Sequence, residues 1–132
     1  MNAPKRTRTT AKTVRAGGTA APAVASSVSE ADFQRAVCDA LTLFNWRWTH
    51  FRPANTGRGW RTPLSGSPGF FDIVAVRRGA VLFIELKGER GKVAPEQWDW
   101  HIEVNTDTDL HPTTQAYVFR PSDWDQVLEV LK

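Results

Sequence analysis

The sequence predicts an α/β domain in which a central, mixed β-sheet is flanked by helices, in the order α-β-β-β-α-β-α. Two apolar runs, 71–76 and 81–87, are separated by four residues that include Gly79, which is typical of a β-hairpin. Both faces of this hairpin are apolar, which predicts a position at the centre of a sheet covered by helices. Segments with helical periodicity precede and follow it.

The first half of the chain supplies a helix, a strand and a loop. Ser29 can act as an N-cap, with two acidic residues in the turn that follows. A helix over about 30–44 is predicted by apolar residues at helical spacing: Phe33, Val37, Ala40, Leu41 and Phe44. Alternating residues over 46–52 predict a strand. Segment 53–69, with three Pro and four Gly, is predicted to be a long loop.

After the hairpin come a helix, a strand and a final helix. Pro95 suits the first position of a helix that continues to about Val104. Residues 115–120 are predicted to form a strand. Pro121, Ser122 and Asp123 are predicted to cap the last helix, which has an apolar face formed by Trp124, Val127, Leu128 and Leu131.

Charge divides the 132 residues into two parts. Residues 1–28 hold five basic residues and no acid, in an Ala-, Thr-, Gly- and Ser-rich context, and are predicted to form a disordered basic tail. Residues 29–132 form the predicted domain and carry 12 basic against 14 acidic residues. The tail either adds affinity for phosphates or is a solubilising extension, and its composition also resembles an organelle transit peptide.

The single cysteine, Cys38, argues against a disulfide scaffold and cannot form a zinc site alone. We therefore expect an intracellular protein. No stretch approaches the roughly 20 apolar residues needed to cross a bilayer, so no membrane association is expected.

The hairpin register points to a metal site. A turn centred on Arg78-Gly79 places Asp72 opposite Glu85, and Lys87 follows on the same face. Two opposed carboxylates repel each other and lose hydration in an apolar setting, and a divalent cation relieves both effects. The pattern predicts a metal-dependent enzyme, and the alternative is a buried ion-pair cluster that fixes the hairpin.

Three short motifs share this arrangement: Gly69-Phe70-Phe71-Asp72, Glu85-Leu86-Lys87 and Pro95-Glu96-Gln97. Together they resemble the PD-(D/E)XK nuclease superfamily and, within it, the small VRR-NUC domains, over about residues 30–120. The resemblance implies a restriction-endonuclease-like core. One departure is Phe71, which stands where the superfamily often has Pro before the Asp.

The resemblance implies a role for each matched residue. Asp72, Glu85 and the backbone carbonyl of Leu86 would bind Mg²⁺, for which Mn²⁺ would substitute. Lys87 would orient or help to deprotonate the attacking water and offset charge on the phosphate. These roles together imply hydrolysis of phosphodiester bonds in DNA.

Two further residues match the family less specifically. Glu30, on the first helix, would hold a water or a second ion, or it is only a favourable charge at a helix N-terminus. Gln97 would hydrogen-bond the water or steady Lys87, or it serves its own helix end. His101, four residues later, projects toward the same region or is simply packed.

Basic residues around the segment before the hairpin suit contacts to nucleic-acid phosphates, and an interleaved Trp suits stacking on a base. In the resembled family this loop enters the active-site cleft. Scattered arginines are also ordinary surface for a protein of this size. The candidate nucleic-acid-binding residues are Arg47, Arg52, Asn55, Arg58, Trp60 and Arg61.

The sequence therefore predicts a Mg²⁺-dependent deoxyribonuclease that selects DNA structure rather than sequence. By analogy, it acts as a homodimer or under a helicase or packaging machine, in a phage or mobile element. The alternatives are a catalytically inactive nucleic-acid-binding module and a structural subunit that docks through the Trp-rich helix 96–103.

Overall fold

The computed structural model describes residues 27–52, 54–55, 57–61 and 64–132. They form an α/β arrangement in which a four-stranded mixed sheet is flanked by helices, as predicted. The predicted tail, 1–28, lies outside the described residues except for its last two. No helix in the described part of the chain combines the length and apolar character that a bilayer crossing needs.

Helix α1 (Glu30–Leu43) begins where the capping pattern predicted it. The Oγ of Ser29 accepts a hydrogen bond from the backbone N of Asp32 at 3.0 Å, which satisfies one of the free donors of the first turn. Its apolar stripe is buried against the sheet and consists of Phe33, Val37, Ala40 and Leu41.

The described residues form six strands, numbered in chain order: β1 (Arg47–His50), β2 (Ala54–Asn55), β3 (Trp60–Arg61), β4 (Ile73–Arg77), β5 (Ala80–Leu86) and β6 (Thr114–Phe119). The main sheet has the order β1-β4-β5-β6, with antiparallel neighbours except for the parallel pair β5–β6. The hairpin turn is centred on Arg78 and Gly79, both at positive φ, and pairs Arg77 with Ala80 as predicted. Such a turn matches the right-handed twist of its strands.

The segment before the hairpin is not only a loop, and here the prediction was wrong. The short strands β2 and β3 pair as an antiparallel ribbon, with Asn55 opposite Trp60. Gly57 and Gly59 lie between them at φ of 80° and 112°, a backbone region that other residues rarely adopt. Two-residue strands leave no periodicity for sequence analysis to detect.

Two helices complete the fold: α2 (Pro95–Asn105) and α3 (Trp124–Leu131). A 3₁₀ turn, Pro121–Asp123, precedes α3, and the Asp123 carboxylate accepts from the backbone N of Arg120 at 2.8 Å. The prediction that this segment caps the helix was therefore wrong for the side chain of Asp123, which makes no capping bond to α3.

The helices cover the two faces of the sheet unequally. Ile84 and Leu86 are buried with residues of α1 and α3, whereas the alternate Phe83 and Glu85 face the side of α2. On that second face α2 leaves part of the sheet open, and Val76 is 42% exposed. The hairpin lies at the centre of the sheet as predicted, but helices cover only one of its faces fully.

Arg77 joins the hairpin to two helix ends. Its guanidinium donates to the backbone oxygens of Phe44 and Leu131, each at 2.9 Å, and of Lys132 at 3.1 Å. Its Cζ also lies 4.3 Å from the centre of the Trp46 ring. Carbonyls at helix C-termini have no partner within the helix, so this side chain satisfies groups that local structure leaves open.

Candidate active site

The predicted catalytic residues gather at one end of the sheet. Strands β1, β5 and β6 end there and β4 begins there, since His50 pairs with Ile73, Ile73 with Ile84, and Ile84 with Tyr117. We call this the carboxylate end, because Asp72 directly precedes β4 and Glu85 is the second-last residue of β5. Lys87 is the first residue beyond β5.

Asp72 lies just outside the strand to which the sequence assigned it. Its side chain accepts a hydrogen bond from the backbone N of Leu86, with 2.8 Å between Oδ2 and the nitrogen. Its own carbonyl accepts from the backbone N of Phe51, also at 2.8 Å. Bonds to β5 on one side and to the end of β1 on the other therefore hold Asp72 in place.

Glu85 is only 3% exposed. Its Oε1 accepts from the Nζ of Lys87 at 2.9 Å and from the Nε2 of Gln97 at 2.5 Å. Its Oε2 is buried and has no hydrogen-bond partner among the described residues. A buried carboxylate with one oxygen bonded twice and the other not at all lacks a hydrogen-bond donor or a cation at the second oxygen.

The pKa values of both acids are raised. Burial, followed by the nearby charge of Asp72, raises the pKa of Glu85 to about 7, although Lys87 and Gln97 oppose the rise. Burial also raises the pKa of Asp72, against the effects of the Leu86 N–H and of Lys87. The charge of Asp72 thus raises the pKa of Glu85, and a cation beside the two carboxyl groups would lower the pKa of both.

Of the roles that the sequence offered for Gln97, the structure shows the one at its own helix end. Its Oε1 accepts from the backbone N of Ala94 at 2.9 Å, which closes the first turn of α2. Its amide nitrogen donates to Glu85, not to Lys87. One side chain therefore ties the start of a helix to the buried acid.

The segment that leads to Asp72 is pressed against the start of α2. The Nε1 of Trp100 donates to the carbonyl of Pro68 at 2.9 Å, and its ring centre lies 5.0 Å from that of Phe70. A Cβ atom on Gly69 would lie 2.6 Å from the backbone carbon of Glu96, and Gly69 has a φ of 87°. Only glycine fits here, and the sequence motif alone gave no reason for it.

We expect Gly69→Ala to lower the free energy of unfolding by about 2 kcal/mol, because it combines an unfavourable φ with a backbone clash. Gly66→Ala is the matched control, since Gly66 has a φ of 93° but nothing within 4 Å of the added Cβ. Urea denaturation of both variants measures the difference. Equal losses would show that the contact with α2 contributes nothing.

Two other side chains approach the same end. The Oε2 of Glu30 accepts from the backbone N of Gly88 at 3.2 Å, and its charge adds to the rise in the pKa of Asp72. His50, which sequence reasoning gave no role, lies near enough to Asp72 for their charges to interact, and its Nδ1 is 3.0 Å from the Nε2 of Gln34. Burial lowers the pKa of His50.

The candidate nucleic-acid-binding residues do not all lie at the carboxylate end. Arg52, exposed, follows β1 at the carboxylate end, and Arg58 is exposed in the turn of the β2–β3 ribbon. Arg47 pairs with Val76 at the opposite end of the sheet, so the structure does not bring it to Asp72. The side chains of Asn55, Trp60 and Arg61 lie outside what the structure describes.

His101 does not join the site. Its Nε2 lies 3.1 Å from the Nδ2 of Asn105, and its ring packs edge-on against Trp98 at 5.2 Å. Of the two interpretations of this residue, packing on its own helix is the one the structure supports.

The residues present fit a hard divalent cation. No three Cys, His, Asp or Glu side chains of the described residues form a ready-made metal cluster. Mg²⁺, however, commonly uses one or two carboxylates and takes its remaining ligands from water and phosphate. The unpartnered oxygen of Glu85 and the raised pKa values of both acids are what such an ion would correct.

No protein-family model, no curated protein and no solved structure matches this chain at a significant level.

Proposed function

We propose that the protein is a Mg²⁺-dependent nuclease that hydrolyses phosphodiester bonds in DNA. The observation that carries the proposal is the state of Glu85: buried, bonded to Lys87 and Gln97 through one oxygen, and without a hydrogen-bond partner among the described residues at the other. The motif resemblance to the PD-(D/E)XK superfamily supports it, since the α-β-β-β-α-β-α order of a restriction-endonuclease-like core agrees with the main elements.

Asp72 and Glu85 would hold the cation, with the Leu86 carbonyl as a third ligand. When bound, the ion polarises a phosphoryl oxygen and lowers the pKa of water, as divalent ions do in hydrolytic sites. Mn²⁺ would substitute for Mg²⁺, because its ligand preference is similar.

The chain's own side chains contribute charge and position. The side chain of Lys87 is 18% exposed, and its ammonium group is paired with Glu85. From there it would stabilise the negative charge that grows on the phosphate as water attacks in line with the leaving oxygen. Gln97 would keep Glu85 oriented through its bond to the start of α2.

The substrate would be selected by its structure, such as an end, branch or flap, because the described residues form a four-stranded sheet, a two-stranded ribbon and helices, with no added recognition domain among them. A homodimer, or work under a helicase or packaging machine in a phage or mobile element, follows by analogy with the family alone.

The direct test of the proposal is a cleavage assay on supercoiled, linear, single-stranded and branched DNA, with Mg²⁺, Mn²⁺ or chelator. We expect metal-dependent cutting by the parent protein and none above background by Asp72→Asn. Asparagine keeps an oxygen that can accept from the Leu86 N–H but removes the charge, so the fold is retained. Circular dichroism of the variant serves as the control.

Other outcomes would favour the alternatives. DNA binding by the parent protein without cutting would indicate an inactive nucleic-acid-binding module. Neither binding nor cutting would indicate a structural subunit, for which α2 offers exposed Trp98 and Ile102.

A further inference from the structure

Hydrogen bonds to residues beyond β6 hold the turn that follows Lys87. The Glu89 carboxylate accepts from the backbone N of Ser122 at 3.1 Å, and Arg120 donates to the carbonyl of Gly91 at 2.8 Å. Within the turn, the N of Gly91 bonds to the carbonyl of Gly88 at 3.0 Å. Two charged side chains are thus used to fix the backbone of residues 88–91.

This fixed turn presents two cations to solvent. Arg90 and Lys92 are both exposed, and neither forms an ion pair with another described residue. The acidic member of the turn, Glu89, is already occupied by the Ser122 N–H and does not neutralise them through an ion pair. Because the backbone of the turn is already fixed, its cations can bind an anion without the added entropy cost of ordering the loop.

The 88–91 turn lies to one side of the two acids, Asp72 and Glu85. Its two external bonds reach residues just beyond β6, so it lies on the β6 side of Lys87. Arg52 lies on the other side, just beyond β1. Across the carboxylate end the order is therefore Arg52, then Asp72 and Glu85, then the turn, with neighbouring strands about 4.8 Å apart.

We propose that Arg90 and Lys92 bind backbone phosphates of the nucleic acid on one side of the bond that is cut, opposite Arg52. The strand then runs across the ends of the sheet strands, perpendicular to them, over the acidic pair. This inference rests on the proposed nuclease function, and it names the surface on which the DNA backbone lies. Contacts of this kind fix position without reading sequence.

The test compares two double variants with the same loss of charge. Arg90→Ala with Lys92→Ala removes the cations of the turn. Arg78→Asn with Lys132→Ala removes two exposed cations at the opposite end of the sheet, and Asn tolerates the positive φ of Arg78. Binding of single-stranded and duplex DNA is measured by fluorescence anisotropy over a range of salt concentrations, in chelator.

We expect the turn variant to bind roughly tenfold more weakly, with a salt slope smaller by about 1.5 to 2, because two phosphate contacts are lost. The control variant should stay within about twofold of the parent protein. Equal weakening in both variants, or in neither, would overturn the inference while leaving the nuclease proposal intact. The nuclease proposal fails separately, if the parent protein does not cut DNA with Mg²⁺ or Mn²⁺.

A second variant separates charge from rigidity. Glu89→Gln keeps both cations and adds to the net positive charge, but weakens the charge-assisted bond to Ser122. Weaker DNA binding than the parent protein, despite the more positive charge, is expected if the fixed turn matters. Tighter binding would show that charge alone decides, and would contradict the role given to the fixed backbone.

Discussion

Lys87→Ala is expected to slow DNA cleavage by about 100- to 1,000-fold at saturating Mg²⁺ and DNA, the usual effect of removing one group that stabilises charge in a transition state. The ammonium group of Lys87 lies 2.9 Å from Glu85 and is the only cation paired with that acid among the described residues. Single-turnover rates measure the chemical step directly, apart from binding.

The matched control for that variant is Lys132→Ala, which removes a lysine that is 64% exposed at the far end of the molecule. It should cleave at the parent rate. DNA affinity measured in chelator should change little for Lys87→Ala, because the proposed role is in the transition state. A variant that binds poorly yet cuts at a normal rate once saturated would assign Lys87 to substrate binding instead.

Without metal, the protein should lose stability as the pH rises from 5 to 8. The pKa of Glu85 is about 7 in the folded protein and 4.5 as its ordinary value, so the folded state binds more protons in this window. The contribution of Glu85 to the free energy of unfolding is therefore fully present below pH 4.5 and is lost as the pH rises through about 7. At about 1.4 kcal/mol per pH unit, the expected loss is on the order of 3 kcal/mol.

Glu85→Gln isolates this effect, because glutamine resembles the protonated acid and does not titrate. Between pH 5 and 8 in chelator, we expect the variant to gain on the order of 2–3 kcal/mol relative to the parent protein, while titrating groups that do not interact with Glu85 cancel. Urea denaturation at the two pH values measures it. Parallel curves would mean that Glu85 is ionised normally in the folded state.

Magnesium should reverse the trend in the parent protein only. An ion that binds the folded state adds stability according to its concentration relative to its dissociation constant. The added stability should be large at pH 8, where Glu85 is charged, and small at pH 5. Stabilisation of Glu85→Gln to the same extent as the parent protein would place the ion elsewhere.

The hairpin is the part of the fold that the sequence predicted most fully. The Arg78-Gly79 turn fixed the register, and the register in turn brought Glu85 toward Asp72. Such predictions succeed because a short turn and a period of two leave few alternatives. The helix start at Ser29 was predictable for the same reason, since the capping bond lies within three residues.

Contacts between distant segments were not predictable. The fit of Gly69 against Glu96, the bonds that hold the 88–91 turn and the reach of Arg77 to two helix ends all join residues far apart in sequence. Periodicity reports which face of an element is apolar but not which neighbour it meets. The placement of Arg47 away from Asp72 has the same origin, since nearness in sequence was taken for nearness in space.

Asp72 directly precedes β4 and Arg77 ends it, so their Cα atoms are roughly 17 Å apart at about 3.4 Å per residue. Substitutions so widely separated usually act independently on stability. One end of the strand is thus tied to two helix ends, and the other end carries a candidate catalytic residue. Substitutions near Asp72 can therefore be made without loosening the contacts of Arg77 with two helix ends.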